Sequence, residues 1–156
     1  MAKGPRAVLG GTFDKFHRGH EKFLRAALER SGKLLICITS DEYAAATKVH
    51  PVEPYCVRWQ RVRAFVDGSG YADRAELVRI NDAHGPAAED AGLEAIFVTS
   101  ENRWRGEEIN EVRGKKGLRP LELIEIPLEL ADDGMPISAT SIREGLTDSE
   151  GRARRR

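Results

Sequence analysis

Short apolar runs alternate along this chain with longer segments whose apolar residues recur at helical spacing. Runs rich in β-branched residues are typical of strands, and apolar positions three or four residues apart are typical of helices. The pattern predicts five strands, over residues 6–11, 34–40, 76–82, 95–100 and 120–130. It predicts helices over residues 20–32, 57–70, 85–92, 102–117 and 138–146. Residues 41–56 contain two prolines and are predicted to form a loop.

The alternation of strands and helices indicates an α/β fold. Such an order favours a parallel sheet with helices on both faces, so we expect one Rossmann-like domain with a five-stranded parallel sheet over residues 1–151. In sheets of this kind, ligands bind beyond the carboxyl ends of the strands. Four predicted strands end in hydroxyls or carboxylates, in the sequences GGTFD, TSD, ND and TSE. The polar chemistry is therefore expected at one edge of the sheet.

Composition narrows the range of partners. Of the 156 residues, 40% are hydrophobic and 32% charged, which is typical of a soluble globular domain. The 25 basic and 25 acidic residues cancel, and no apolar stretch approaches the ~18 residues of a membrane span. We therefore expect neither a nucleic acid nor a membrane as partner. The oligomeric state is not predicted.

Two further features concern location and the chain end. Cys37 and Cys56 have no CxxC spacing, and no apolar leader precedes the first predicted strand, so a reducing cytoplasm is expected. The sequence RARRR at residues 152–156 predicts a solvated, disordered basic tail.

The seam between the first strand and the first helix carries an unusual set of residues. Gly10 and Gly11 end the strand, and His17 and His20 lie at the start of the helix. Glycines allow a ligand to approach the backbone, and a helix start favours phosphate. Alternatively, the glycines form only a tight turn, or the histidines bind zinc. Zinc would need further ligands at suitable spacing, and the other histidines and cysteines are scattered singly.

A second polar motif, PISATSIREGL, lies near the chain end. Pro136 precedes three hydroxyl residues, Ser138, Thr140 and Ser141, and then Arg143. One interpretation is a final helix with Ser138 as its N-cap. The other is a second phosphate-binding segment, built from hydroxyls, free N–H groups and one arginine.

Both motifs resemble those of a known enzyme superfamily. GGTFDKFHRGH is similar to the HxGH signature of the nucleotidyltransferases, with His17-Arg18-Gly19-His20 in the signature positions. ISATSIR is similar to their ISSTxxR-type motif, although Ala139 and Ser141 stand where serine and arginine are common. With the segments between them, over residues 6–151, the motifs resemble phosphopantetheine adenylyltransferase of the archaeal and eukaryotic type.

The resemblance implies a reaction. It would be the transfer of AMP from ATP to 4′-phosphopantetheine, giving dephospho-coenzyme A and pyrophosphate, with Mg²⁺ held mostly by ATP and water. The attacking phosphate oxygen is already anionic, so no general base is needed. The alternatives are another nucleotidyltransferase, acting with CTP or on flavin or nicotinamide mononucleotide, and a nucleotide-binding regulator that no longer catalyses.

The resemblance also implies the site residues, and no protein ligand to a metal is among them. The residues expected to be catalytic are His20, Thr12 and Lys48. Those expected to bind ATP are Gly10, Gly11, His17, Gly19, His20, Glu101, Ser138, Thr140, Ser141 and Arg143. Those expected to bind the acceptor are Thr12, Lys48, Asp41, Asp82 and Arg58.

Several of these residues have a plainer alternative. Lys48 could be a solvated loop lysine and Arg58 a surface residue, and Asp41 and Asp82 could only cap the helices that follow them. Trp104, like Trp59, is expected to pack or lie on the surface rather than stack on a base.

Overall fold

A computed structural model describes residues 4–48 and 50–128. Its parallel strands are β1 (Arg6–Gly11), β2 (Lys33–Thr39), β3 (Ala75–Ile80), β4 (Ala95–Val98) and β5 (Glu122–Glu125). Its α-helices are α1 (Arg18–Arg30), α2 (Asp41–Thr47), α3 (Tyr55–Gly68) and α4 (Arg103–Lys115). Two 3₁₀ turns, Ala72–Arg74 and Gly85–Ala88, lie before and after β3. Within these ranges, no helix is long and apolar enough to span a membrane.

The predicted five-stranded parallel sheet is confirmed. The strands lie in the order β3-β2-β1-β4-β5, and alternate residues of the central strands enter two separate apolar clusters. Leu9 of β1 packs in the cluster that contains Leu24 of α1 and Val62 of α3. Val8 packs in the other, with Ile109 of α4. Helices therefore cover both faces, as the continuous apolar run of β2 requires.

The order of the strands creates the crevice in which a ligand can bind. From β1 the chain proceeds outward through β2 to β3, and it then returns to add β4 on the other side of β1. The connections that leave β1 and β4 therefore diverge, and a gap opens beyond their carboxyl ends.

The prediction of a loop over 41–56 is wrong, because residues 41–47 form α2. The hydroxyl of Ser40 accepts a hydrogen bond from the backbone N–H of Tyr43 at 3.1 Å, and Asp41 and Glu42 are acidic residues in the first turn. This is a well-capped helix start, and Ala44 is the residue of α2 that is buried in the domain. The two prolines of this segment lie beyond the end of α2, so they do not interrupt the helix.

The other predicted elements within the described residues differ from the observed ones mainly in length. The helix predicted over 85–92 is only the 3₁₀ turn Gly85–Ala88, whose first residue has a φ of +54°. Strand β5 ends at Glu125, two residues before Pro127, because proline cannot donate a ladder hydrogen bond. The helix predicted over 138–146, the motif within it and the tail at 152–156 lie outside the described residues.

Candidate functional site

A cavity of about 350 Å³ lies at the carboxyl edge of the sheet. The ends of β1, β2, β3 and β4 line it, together with the beginning of α4. Polar residues from three of the predicted strand ends gather there, since Thr12, Thr39 and Asp82 all line the cavity. The fourth strand end, TSE at residues 99–101, does not line it, and the next residue, Asn102, does so instead.

The two glycines that end β1 lie in the wall of this cavity. A Cβ atom built on Gly11 would lie 3.1 Å from Cε2 of the Phe13 ring, which is tight. On Gly10 the nearest atoms would lie at 3.9 Å, an ordinary contact. A side chain at residue 11 would therefore press on the Phe13 ring, whereas Gly10 leaves the backbone of β1 open toward the cavity.

The loop between β1 and α1, residues 12–17, has a strained backbone. Phe13 and Lys15 have positive φ angles of 55° and 50°, which residues other than glycine seldom adopt. Such strain persists only where neighbouring groups hold it. Glu53 does so from the segment before α3: its backbone N–H donates to Asp14 at 3.0 Å, and its carboxylate accepts from the N–H of Lys15 at 2.7 Å. Arg61 in turn binds the Glu53 carboxylate at 2.8 Å.

The loop ends in a reciprocal cap made by two histidines. Nδ1 of His17 accepts hydrogen bonds from the backbone N–H groups of Gly19 and His20, at 3.1 and 3.4 Å. Nδ1 of His20 accepts from the backbone N–H of His17 at 3.2 Å. This is a capping box in which histidines replace the usual hydroxyl and carboxylate.

The cap determines the tautomer of both rings. Because each Nδ1 is an acceptor, the proton of each neutral ring lies on Nε2, which is then a donor. Burial lowers the pKa of His17 to about 4. Burial, with a smaller contribution from His17, lowers the pKa of His20 to about 3. At neutral pH both side chains are uncharged N–H donors beside the start of α1. Neither is among the described residues that line the cavity itself.

Arg58 lies beneath the site, and it is fully buried. Its guanidinium donates to the carbonyl oxygens of Thr12, Thr39 and Glu53, at 2.9, 2.8 and 2.7 Å. It also pairs with Asp41 at 3.2 Å. The surface alternative for Arg58 is therefore wrong, and its burial leaves it no exposed surface with which to contact an acceptor in this structure. Arg58 instead joins the ends of β1 and β2.

The remaining predicted acceptor residues are placed differently from one another. Lys48 is exposed at the end of α2 and lines the cavity. Asp82 also lines the cavity, but its Oδ1 accepts from the N–H groups of His84 and Gly85, at 3.0 and 2.6 Å. Asp41 is the first residue of α2, and its Oδ1 accepts from the backbone of Tyr55 at 2.7 Å. Asp82 thus stabilises the start of the turn that follows it, as in the alternative interpretation, whereas Asp41 does not cap α2, whose N-cap is Ser40, and instead binds the start of α3.

Among the predicted ATP-binding residues, Glu101 is exposed and does not line the cavity. Its carbonyl accepts from the indole N–H of Trp104 at 3.1 Å. Ser138, Thr140, Ser141 and Arg143 lie outside the described residues, and their roles stay predictions.

The start of α4 adds residues that the sequence reasoning missed. Trp104 is exposed, as predicted, but it also lines the cavity, and the Arg105 guanidinium lies 4.3 Å from its ring centroid. Glu108 joins Arg105 to His84 across the cavity rim, with distances of 2.6 and 2.7 Å. Hydrogen bonds from His84 and Arg105 lower the pKa of Glu108. The signal available in the sequence was position alone, since Trp104 and Arg105 follow β4 closely.

In the part of the chain that the structure describes, no group of three or more histidine, cysteine, aspartate or glutamate side chains could hold a metal ion. The polar groups of the cavity are hydroxyls, an amide and single charged side chains. The site therefore suits phosphate groups better than a bare cation.

Comparison with known proteins agrees with this geometry. Residues 8–145 match the model of the cytidylyltransferase-like family, so the chain belongs to that family. Its relatives include phosphopantetheine adenylyltransferases of archaea. The one from Methanopyrus kandleri is 38% identical over 143 residues, covering 92% of this chain and 91% of that protein. The one from Methanothermobacter thermautotrophicus is 40% identical over 144 residues, covering 92% and 86%. The resemblance predicted from the sequence is confirmed by these relatives.

A solved structure supports the fold as well. A protein with unknown function from Archaeoglobus fulgidus is 28% identical to this chain, with a TM-score of 0.68. The match covers 78% of this chain and 88% of that one.

Proposed function

We propose that this chain transfers AMP from ATP to 4′-phosphopantetheine, with dephospho-coenzyme A and pyrophosphate as products. One observation carries the proposal: the seam with the sequence GGTFDKFHRGH lies at the switch point of the sheet, where the end of β1 lines an open cavity and a capped helix start follows it in the chain. The identity of about two residues in five with archaeal phosphopantetheine adenylyltransferases, over most of both chains, supports the choice of acceptor.

The chemistry needs donors and charge rather than a base. The attacking phosphate oxygen of the acceptor is anionic near neutral pH, so nothing has to remove a proton from it. The enzyme must hold two anions in line and stabilise the charge that develops on the α-phosphate and the leaving pyrophosphate. Hydroxyls, neutral imidazole N–H groups and lysine, the groups at this site, match that task.

In this proposal the nucleotide lies at the seam between β1 and α1. The start of α1 and the Nε2–H groups of His17 and His20 face its phosphates, and Gly10 and Gly19 allow close approach of the backbone. The neutral state of His20 suits this role. A neutral imidazole N–H forms no strong ion pair that would have to break before it stabilises the negative charge that grows on the phosphates. Residues 138–143 would complete the triphosphate site, which is a prediction from sequence alone.

The acceptor occupies the cavity between β1 and α2. Its phosphate lies between Thr12, at the end of β1, and Lys48, at the end of α2. Lys48 supplies the positive charge that lets one anion approach another. The rest of the acceptor extends toward the start of α4, where Trp104 and Ile109 offer apolar surface.

Mg²⁺ enters this proposal as the counter-ion of ATP, bound by phosphate oxygens and water. The described donors of this chain do not form a binding site of their own for it. Its contribution when bound is to neutralise phosphate charge.

The test is a panel of substrates. ATP and CTP are each paired with 4′-phosphopantetheine, flavin mononucleotide and nicotinamide mononucleotide, and pyrophosphate release is measured. The proposal predicts turnover with ATP and 4′-phosphopantetheine at a kcat/KM far above every other pair. Turnover led by CTP or by a mononucleotide acceptor would assign the chain to another activity in the family. Tight ATP binding with no turnover in any pair would make it a regulator.

A further inference from the structure

Two hydroxyl groups meet where β1 and β2 end. Thr39 is the last residue of β2 and is buried, whereas Thr12 follows β1 and is half-exposed. Their Oγ1 atoms lie 3.2 Å apart, and Thr39 donates to Thr12. Because both residues line the cavity, the direction of this hydrogen bond decides which hydroxyl can donate to a ligand.

Arg58 favours that direction. A guanidinium can only donate hydrogen bonds. Its Nη1 lies 3.4 Å from Oγ1 of Thr39 and 2.8 Å from the Thr39 carbonyl oxygen. The Thr39 hydroxyl can therefore only accept on the side that faces Arg58, which leaves its proton available for Thr12, the direction that this hydrogen bond has in the structure.

Thr12 becomes a donor as a result. Its oxygen accepts from Thr39, and among the hydrogen bonds of the described residues its hydroxyl makes no other. We propose that Thr39 is a positioning residue: the chain Arg58–Thr39–Thr12 aims the Thr12 proton into the cavity, at an oxygen of the acceptor phosphate. The inference rests on the proposed function, since it assumes that a phosphate group lies beside Thr12.

Arg58 also holds the backbone of Thr12, the proposed donor. Nη1 of Arg58 binds the Thr12 carbonyl oxygen at 2.9 Å, directly before the strained residue Phe13. Thr12 is thus held at its main chain by Arg58 and at its side chain by Thr39. A hydroxyl held at both points has lost its rotational freedom before the substrate binds, so less entropy is lost in the reaction.

Thr39 offers a matched pair of variants. Thr39→Val keeps the shape of the side chain and suits a strand, but it removes the donor. Thr39→Ser keeps the hydroxyl and loses only a methyl group. We expect Thr39→Val to lower kcat by about tenfold, with a smaller change in KM for ATP. Misplacing a catalytic group by about 1 Å can lower the rate roughly hundredfold, so the expected loss lies within that range. Thr39→Ser should stay within about threefold of the wild type.

A double-mutant cycle separates this role from a purely structural one. If Thr39 acts through Thr12, Thr39→Val should add almost nothing to the loss already caused by Thr12→Val. Thermal unfolding of all four proteins shows whether each variant is folded during the assay.

The outcomes are distinct. Equal loss in Thr39→Val and Thr39→Ser, no loss in Thr39→Val, or additive losses with Thr12→Val would each overturn the role of Thr39 while the wild type still turns over. A wild type that fails to join ATP and 4′-phosphopantetheine would instead overturn the proposed function, and this inference with it.

Discussion

The rings of His17 and His20 stack with their centroids 3.8 Å apart, and each ring nitrogen Nδ1 caps the backbone N–H of the other residue. Gly19 lies between them and contributes a third N–H to the cap. A proton on either Nδ1 would remove an acceptor from this arrangement. The start of α1 and the neutral state of both histidines therefore depend on each other.

Loss of His20 should be costly for turnover. His20→Ala removes an Nε2–H donor that the proposed function places at the reacting phosphates. We expect kcat to fall about 10²–10³-fold, the scale for one donor to a developing anion, with a smaller change in ATP affinity. Steady-state kinetics and ATP titration measure the two effects.

The control for this variant is His20→Gln. Glutamine at this helix position can still reach back to the N-cap residue, so the helix start is retained. Thermal unfolding should show His20→Ala to be less stable than His20→Gln. A His20→Ala enzyme within a few-fold of wild-type kcat would remove His20 from the chemistry.

The histidine pair predicts how stability depends on pH. The pKa values of about 4 for His17 and about 3 for His20 lie below the 6.5 of an unfolded histidine. Below pH 6.5 the unfolded chain binds more protons, so the stabilisation present above that pH is lost as the pH falls through the folded-state values. Each histidine contributes at most about 1.4 kcal/mol per pH unit to the slope.

Chemical denaturation between pH 4 and pH 8 measures this slope. His20→Gln should show a shallower fall in the free energy of unfolding below pH 6.5 than the wild type. Over pH 6–8, kcat should not follow a histidine titration. An apparent pKa near 6.5 in the kcat profile of the wild type that is absent from His20→Gln would show that His20 is charged in the working enzyme, contrary to this structure.

Lys48 should act on one substrate only. Lys48→Ala removes a cation from the cavity rim, and a charge-assisted hydrogen bond contributes about 1.5–3 kcal/mol. We therefore expect at least tenfold weaker binding of 4′-phosphopantetheine, with ATP affinity nearly unchanged. Isothermal titration with each substrate measures both.

Lys33 provides a comparison for that experiment. It is exposed at the start of β2, at the opposite edge of the sheet, so Lys33→Ala makes the same change in charge away from the cavity. Lys48→Arg tests whether charge alone is sufficient. If Lys48→Ala and Lys33→Ala behave alike, Lys48 is the solvated lysine of the alternative interpretation.

The second motif yields a prediction that rests on sequence alone. Ser141 stands where arginine is common in the motif, so the triphosphate should depend on Arg143. Arg143→Ala should raise KM for ATP, and Ser141→Arg should lower it, because a guanidinium binds phosphate oxygens in bidentate fashion. The gain should shrink at high ionic strength. Unchanged ATP affinity of Ser141→Arg at low salt would place residue 141 away from the triphosphate.

The sequence was informative about the fold because its strands have simple patterns. The apolar run of β2 is buried along its length, and β1 covers the residues that its pattern predicts. Helix α2 was missed because its start depends on the cap that Ser40 forms, and because the prolines later in the segment are typical of a loop. Short capped helices carry little periodicity, so pattern alone could not find it.

The sequence motif of the site could be predicted, but the buried contacts that hold the motif in place could not. The seam of glycines and histidines has a local signature, so its position could be read directly. Burial of Arg58 results from four partners that lie up to 46 residues away in sequence, and no local pattern encodes them. The tautomers of His17 and His20 follow from backbone geometry, which appears only in the folded chain.

The central claim is that the phosphate of 4′-phosphopantetheine attacks ATP. The most direct measurement is mass spectrometry of the product formed from ATP and 4′-phosphopantetheine, together with pyrophosphate release, and with pantetheine as the acceptor that lacks only the phosphate. The account predicts dephospho-coenzyme A and pyrophosphate in equal amounts, and no product from pantetheine. Absence of dephospho-coenzyme A, or pyrophosphate released equally with pantetheine, would contradict it.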